Sequence, residues 1–127
     1  MRAIELPAGQ TVAIVGEATF QPTIARACGP IRAERVHCAI TAALVPEPEN
    51  RYDPNAVAVY IGGEKVGYLS RRDALDYQPA MQALRAAGYQ AGVCRGCIAG
   101  QGPGSEKLNL GVYLYLAGPE ELLDALS

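Results

Sequence analysis

The sequence predicts a mainly β chain with helices, of α+β class, built as a small, partly open antiparallel barrel of about six strands with a helix after the fourth. Three observations predict it. Short runs rich in β-branched residues recur along the chain, Gly- and Pro-rich turns separate most of them, and those turns are too short for the crossovers that a parallel sheet requires. The 127 residues, half of them hydrophobic and 19% charged, suffice for one core and not for two, so residues 1–127 are expected to form a single domain.

The elements follow in order. Thr11-Val-Ala-Ile-Val-Gly16 is a β-branched run that ends in Gly, which predicts a buried strand stopping at a tight turn. One or two helical turns are expected between Thr19 and Cys28, ended by Gly29-Pro30. Ala33 to Val45 reads as a long strand with Val36, Cys38, Ile40, Ala42 and Leu44 on one face. The loop from Pro46 to Asn55 holds three prolines together with Asn and Asp, which makes it rigid enough to present side chains accurately. Ala56 to Ile61 and Lys65 to Leu69, joined through Gly62-Gly63, predict a β-hairpin. Ser70-Arg-Arg-Asp73 has the form of a capping box that opens a helix over Ala74 to Ala87, with Pro79 splitting it or starting its second half and Gly88 stopping it. Two further strands are expected at Ala91 to Ala99 and Leu108 to Leu116, either side of Gly100-Gln-Gly-Pro-Gly104, and a short acidic amphipathic helix at Pro119 to Leu126.

Charge narrows the function classes. With 11 Lys+Arg against 13 Asp+Glu the net charge is −2, so no global basic field holds duplex nucleic acid, and any nucleic-acid site must be local. Nine of the 11 cations are Arg, as bidentate anion contacts or GC-rich coding would give. The apolar run Val12 to Gly16 is far shorter than the roughly 20 residues of a membrane span, and Glu5 and Pro7 interrupt any signal-like stretch; a cytoplasmic chain with no membrane partner is expected.

Each chemistry-bearing group has a structural reading beside the functional one. Cys94-Arg-Gly-Cys97 has the spacing seen in zinc ribbons, with Cys28, His37 and Cys38 as further ligands, or of a redox pair. On a strand, however, residues three apart face opposite ways, so buried thiols are expected and no metal. His37 is the lone histidine, has no nucleophile motif beside it, and is expected to face solvent from its strand. Gly100 to Gly104 lacks the Lys-Ser/Thr of a phosphate cradle and reads as a hairpin tip. Glu47, Glu49 and Asp53 place three carboxylates on one rigid loop, suited to a divalent ion or, by default, to solvent and turn formation. No cofactor motif is present, and a non-catalytic role is expected.

The run Leu44-Val-Pro-Glu-Pro-Glu-Asn-Arg-Tyr-Asp-Pro-Asn-Ala-Val-Ala-Val59, followed by Lys65-Val-Gly-Tyr-Leu-Ser70, resembles the signature of the HIRAN domain, with Val15-Gly-Glu17 upstream and Cys97-Ile-Ala-Gly100 downstream. The resemblance spans residues 11–116. It implies an OB-like barrel that captures the 3′ end of single-stranded DNA, as in eukaryotic members fused to Swi/Snf-type ATPases, and a helicase, ATPase or nuclease as protein partner. It also implies roles: Tyr52 stacks on the terminal nucleotide, Asp53 accepts its 3′-hydroxyl, Asn50 adds a polar contact, and Tyr68 and Arg71 lie where phosphates are met. Where DNA-binding members carry an arginine and adjacent tyrosines after the first strand, this chain has Ala18, Thr19 and Phe20, which leaves Phe20 as the aromatic surface there. An adaptor that has lost DNA binding and docks a protein is the second reading, and a metal-dependent hydrolase or nuclease accessory using the loop carboxylates is the third.

Overall fold

The computed structural model describes residues 2–29 and 33–127. The elements are β1 (Ala3–Glu5), β2 (Gln10–Val15), a 3-10 turn (Glu17–Phe20), α1 (Gln21–Ala27), β3 (Arg35–Pro46), β4 (Val57–Ile61), β5 (Glu64–Leu69), α2 (Arg71–Asp76), α3 (Gln78–Ala86), β6 (Ala91–Gln101), β7 (Asn109–Leu116) and α4 (Pro119–Leu126). The expected barrel of six antiparallel strands is present, in the order β6-β3-β4-β5-β2-β7, and β7 pairs back onto β6. Its loosest seam is β2 with β5, where only Ile14–Leu69 and Val15–Tyr68 are paired.

Strand length explains how so few residues close a barrel. β3 has 12 residues; Arg35 to Leu44 pair with β6 while Ala43 to Pro46 pair with β4, so one strand serves two neighbours at different heights. β6 does the same on its other side, with Ala91 to Val93 against β1 and Arg95 to Gln101 against β7. The alternation expected along β3 is present: Ala42 and Leu44 are buried and Val36, Cys38 and Ile40 half-buried, while His37 is exposed. The same period turns Val57, Val59, Ile98, Leu110, Leu114 and Leu116 into the core, each fully excluded from solvent.

Sequence reading missed β1, a three-residue parallel strand on β6 that is too short for a period to show. Its ends are fixed by Arg2 N–H donating to Gln90 Oε1 at 2.6 Å and Leu6 N–H to Val93 O at 2.8 Å. The β4–β5 hairpin turns on Gly62 and Gly63, whose φ values of 59° and 82° suit a turn whose twist matches the strands. Ser70 caps α2 by accepting from Asp73 N–H at 3.0 Å, and the expected long helix is split at Tyr77, with Pro79 in the first turn of α3. The Tyr77 hydroxyl donates to Ala117 O at 2.7 Å, tying α3 to the chain that enters α4. α1 packs against β5 and β7 and sends Ile24 into the core; Pro30, expected to help end α1, lies outside the described residues.

Candidate functional site

The loop between β3 and β4 is built around one side chain. Asn50 Oδ1 accepts from the backbone N–H of Tyr52 at 2.9 Å and of Asp53 at 3.1 Å, while its Nδ2 donates to Glu47 Oε1 at 2.9 Å. Asn50, given a polar contact by resemblance, thus has its carbonyl and one amide hydrogen committed to its own loop. Asp53 Oδ1 accepts from Asn55 N–H at 2.9 Å, an Asx turn that fixes the carboxylate's orientation. Its other oxygen, Oδ2, faces Arg71 Nε at 4.0 Å, too far for a hydrogen bond. Asp53 is mostly covered and Arg71 almost fully exposed, so the carboxylate is held and the guanidinium is free to move. Tyr52, between Asn50 and Asp53 in sequence, is 92% exposed.

A second layer lies beneath the loop. Glu47 Oε2 accepts from Lys65 Nζ at 3.1 Å, and Lys65 Nζ also donates to Tyr68 Oη at 2.7 Å, with the ammonium 4.8 Å from the Tyr68 ring centroid. Burial acts against the Glu47 carboxylate, but hydrogen bonds from Asn50 and Lys65 outweigh it and leave its pKa below the ordinary value. The Tyr68 contact and the Glu47 carboxylate, against a smaller cost of burial, hold the Lys65 ammonium above its ordinary pKa. The chain Tyr68–Lys65–Glu47–Asn50 therefore connects β5 to the backbone that carries Tyr52 and Asp53.

Of the six residues singled out in the sequence, the structure joins Asn50, Tyr52 and Asp53 through hydrogen bonds, sets Arg71 against Asp53, and links Tyr68 to Asn50 through two intermediates. Phe20 stands apart from that network. It ends the 3-10 turn that packs against β5, and its half-buried ring lies on the core, so only part of it faces solvent.

Sequence reasoning missed Glu47 as a loop anchor and Lys65 altogether. The reason is a β-bulge. Val59 pairs with Gly67 but Tyr60 pairs with Lys65, so Val66 is the extra residue in β5 and Lys65 and Tyr68, three apart, come to one face. Strict alternation places them on opposite faces, and only the bulge reverses that.

The loop carboxylates do not converge. Glu47 is taken up by Lys65 and Asn50, and no group of three or more His, Cys, Asp or Glu side chains suited to a metal occurs among the described residues. Cys94 faces inward on the rung of Ala42, and Cys97 faces outward on the rung of Ala39 and Tyr113, so the two thiols stand on opposite faces of β6.

The HIRAN domain family model matches residues 35–117, from the start of β3 to just past β7. Among solved structures, the NMR structure of the HLTF HIRAN domain in its DNA-bound conformation is similar at 19% identity and a TM-score of 0.45, over 95% of this chain and 84% of that one. No curated protein matched the chain.

Proposed function

This chain belongs to the HIRAN domain family, and on that premise we propose that it is a non-catalytic module that captures the 3′-hydroxyl end of single-stranded DNA. The observation that carries the reading is the pairing of a 92%-exposed Tyr52 with an Asp53 whose carboxylate is oriented by its own turn and whose Oδ2 faces Arg71 with no hydrogen bond to it. A bare aromatic ring on a stiff loop gains from covering by a base, which contributes about 1–3 kcal/mol. A fixed carboxylate accepts a hydroxyl and repels a phosphate, which supplies discrimination that charge alone does not. Arg71, loosely held at 4.0 Å, is placed to leave Asp53 for the phosphodiester next to the terminal sugar.

The test is fluorescence anisotropy of a 5′-labelled single strand ending in a 3′-hydroxyl or a 3′-phosphate, at low and moderate salt. Roughly tenfold tighter binding of the hydroxyl end is expected. Tyr52→Ala should weaken binding by about 1–3 kcal/mol, and Asp53→Asn should chiefly erase the preference for hydroxyl over phosphate. Equal affinity for both ends in the unaltered protein sinks end capture, and no binding to either moves the search to a protein partner.

A further inference from the structure

We infer that the outer face of β7, centred on Tyr113 and Tyr115, is a second binding surface, one that takes internal nucleotides of a single strand. This rests on the end-capture reading for its ligand and on separate residues for its site.

The first observation is charge. The chain is net acidic, yet β2, β3, β6 and β7 contain no Asp or Glu at all, and their charged residues are Arg35 and Arg95. Those four strands are contiguous in the barrel. Carboxylates stand at the borders, Glu5 on β1, Glu17 past the end of β2, Glu34 just before β3 and Glu106 between β6 and β7, so the strands themselves form the face complementary to a polyanion.

The second observation is ring orientation. Tyr113 is 37% exposed and lies along its own strand over Gly111; a Cβ added at Gly111 would stand 2.8 Å from its hydroxyl and 3.0 Å from two ring carbons. The glycine lets the ring lie down, with one face on the sheet and the other in solvent. Tyr115, two residues on and half-buried, points to the same face, and Cys97 of β6 sits opposite Tyr113. Arg95 is opposite Tyr115. Each tyrosine lines a shallow groove on this face, of about 470 Å³ beside Tyr113 and Arg35 and about 750 Å³ beside Tyr115 and Arg95. Flat aromatic faces with flanking guanidinium groups are what unpaired bases and their phosphates require.

The third observation is continuity. Val15 of β2 pairs with Tyr68, and Ala13 of β2 pairs with Tyr113. Only β2, whose outward residues are Thr11, Ala13 and Val15, therefore separates the strand of Tyr68 from that of Tyr113, about 10 Å at ordinary strand spacing. A strand whose 3′ end is held at Tyr52 and Asp53 would reach the tyrosines by passing over Val15 and Ala13 of β2.

The experiment compares a dinucleotide with an oligonucleotide of about ten residues, within the span of one OB-like barrel, each with a 3′-hydroxyl or a 3′-phosphate. In the unaltered protein the longer strand should bind more tightly. Tyr113→Ala should weaken the longer strand about tenfold, Arg95→Gln should lower its salt dependence, and Tyr113→Phe should restore affinity because it keeps the ring. If Tyr113→Ala and Arg95→Gln leave the longer strand's affinity unchanged while the hydroxyl preference persists, this surface is overturned and end capture stands. If the hydroxyl preference is missing but Tyr113→Ala still weakens the longer strand, end capture falls and the surface stands. Binding of neither length overturns both.

Discussion

In the proposed end-capture site Asn50 and Glu47 would act on the ligand through other groups, and that sets the sign of an experiment. Lys65 admits two roles: it anchors Glu47 beneath the loop, or it is a phosphate contact that Glu47 restrains. Under the first, Glu47→Ala releases Asn50 and weakens DNA binding about fivefold, a modest figure because the Glu47–Lys65 pair is only part-buried. Under the second it frees an ammonium and strengthens binding. Weakening is expected, together with a salt dependence that Lys65→Met leaves unchanged; loss of one phosphate contact would lower the slope by about 0.7. The same pair fixes the pH range. Glu47 has a lowered pKa, so its contribution is complete above the ordinary carboxylate range and is lost as pH falls through the folded value. Lys65 has a raised one, so its contribution is complete below the ordinary lysine value and is lost as pH rises through the folded value. The amide resonances of Tyr52 and Asp53 should therefore hold their positions from about pH 5 to about pH 10.

Elements whose cause is local were legible from the sequence. Gly62-Gly63 dictates a tight hairpin, Ser70 and Asp73 define a helix start, and Pro79 marks the split between α2 and α3, because each follows from backbone geometry within four residues. Ser70→Ala should accordingly cost about 1 kcal/mol in urea unfolding while leaving the preference for a 3′-hydroxyl in place, since the Asp53 turn is closed by Asn55 and not by α2. What was hidden is what depends on a neighbour. β1 exists because β6 offers an edge at Ala91 to Val93, and Lys65 reaches Tyr68 because β4 and β5 pair through a bulge. The loop itself was readable in part. Its rigidity and the Asp53 turn follow from its residue types, whereas the inward commitment of Asn50 needs Glu47 and Lys65 in place.

At the scale of the whole molecule, closure of the barrel decides whether the two faces of the site share one rigid frame. The strand count came from local patterns; which strands meet at the join did not, because β2 and β5 are about 50 residues apart in sequence and touch through two residue pairs. That narrow seam lies directly between Tyr68 and Tyr113. Gly67 makes it possible: a Cβ there would lie 2.5 Å from Val15 O and 2.8 Å from Ile14 Cδ1. Gly67→Ala should therefore push β5 from β2 and cost about 1–3 kcal/mol, as overpacked sites do. The effect on binding should be selective. The Asn50–Asp53 loop is fixed to β4 and β5, so a dinucleotide should still prefer a 3′-hydroxyl. A longer strand, which on the proposed course crosses the seam to reach β7, should lose more affinity than the dinucleotide. Chemical denaturation would report the stability change, and anisotropy with the two lengths the selective loss. An equal loss for both lengths would mean that the seam does not lie on the path of the strand.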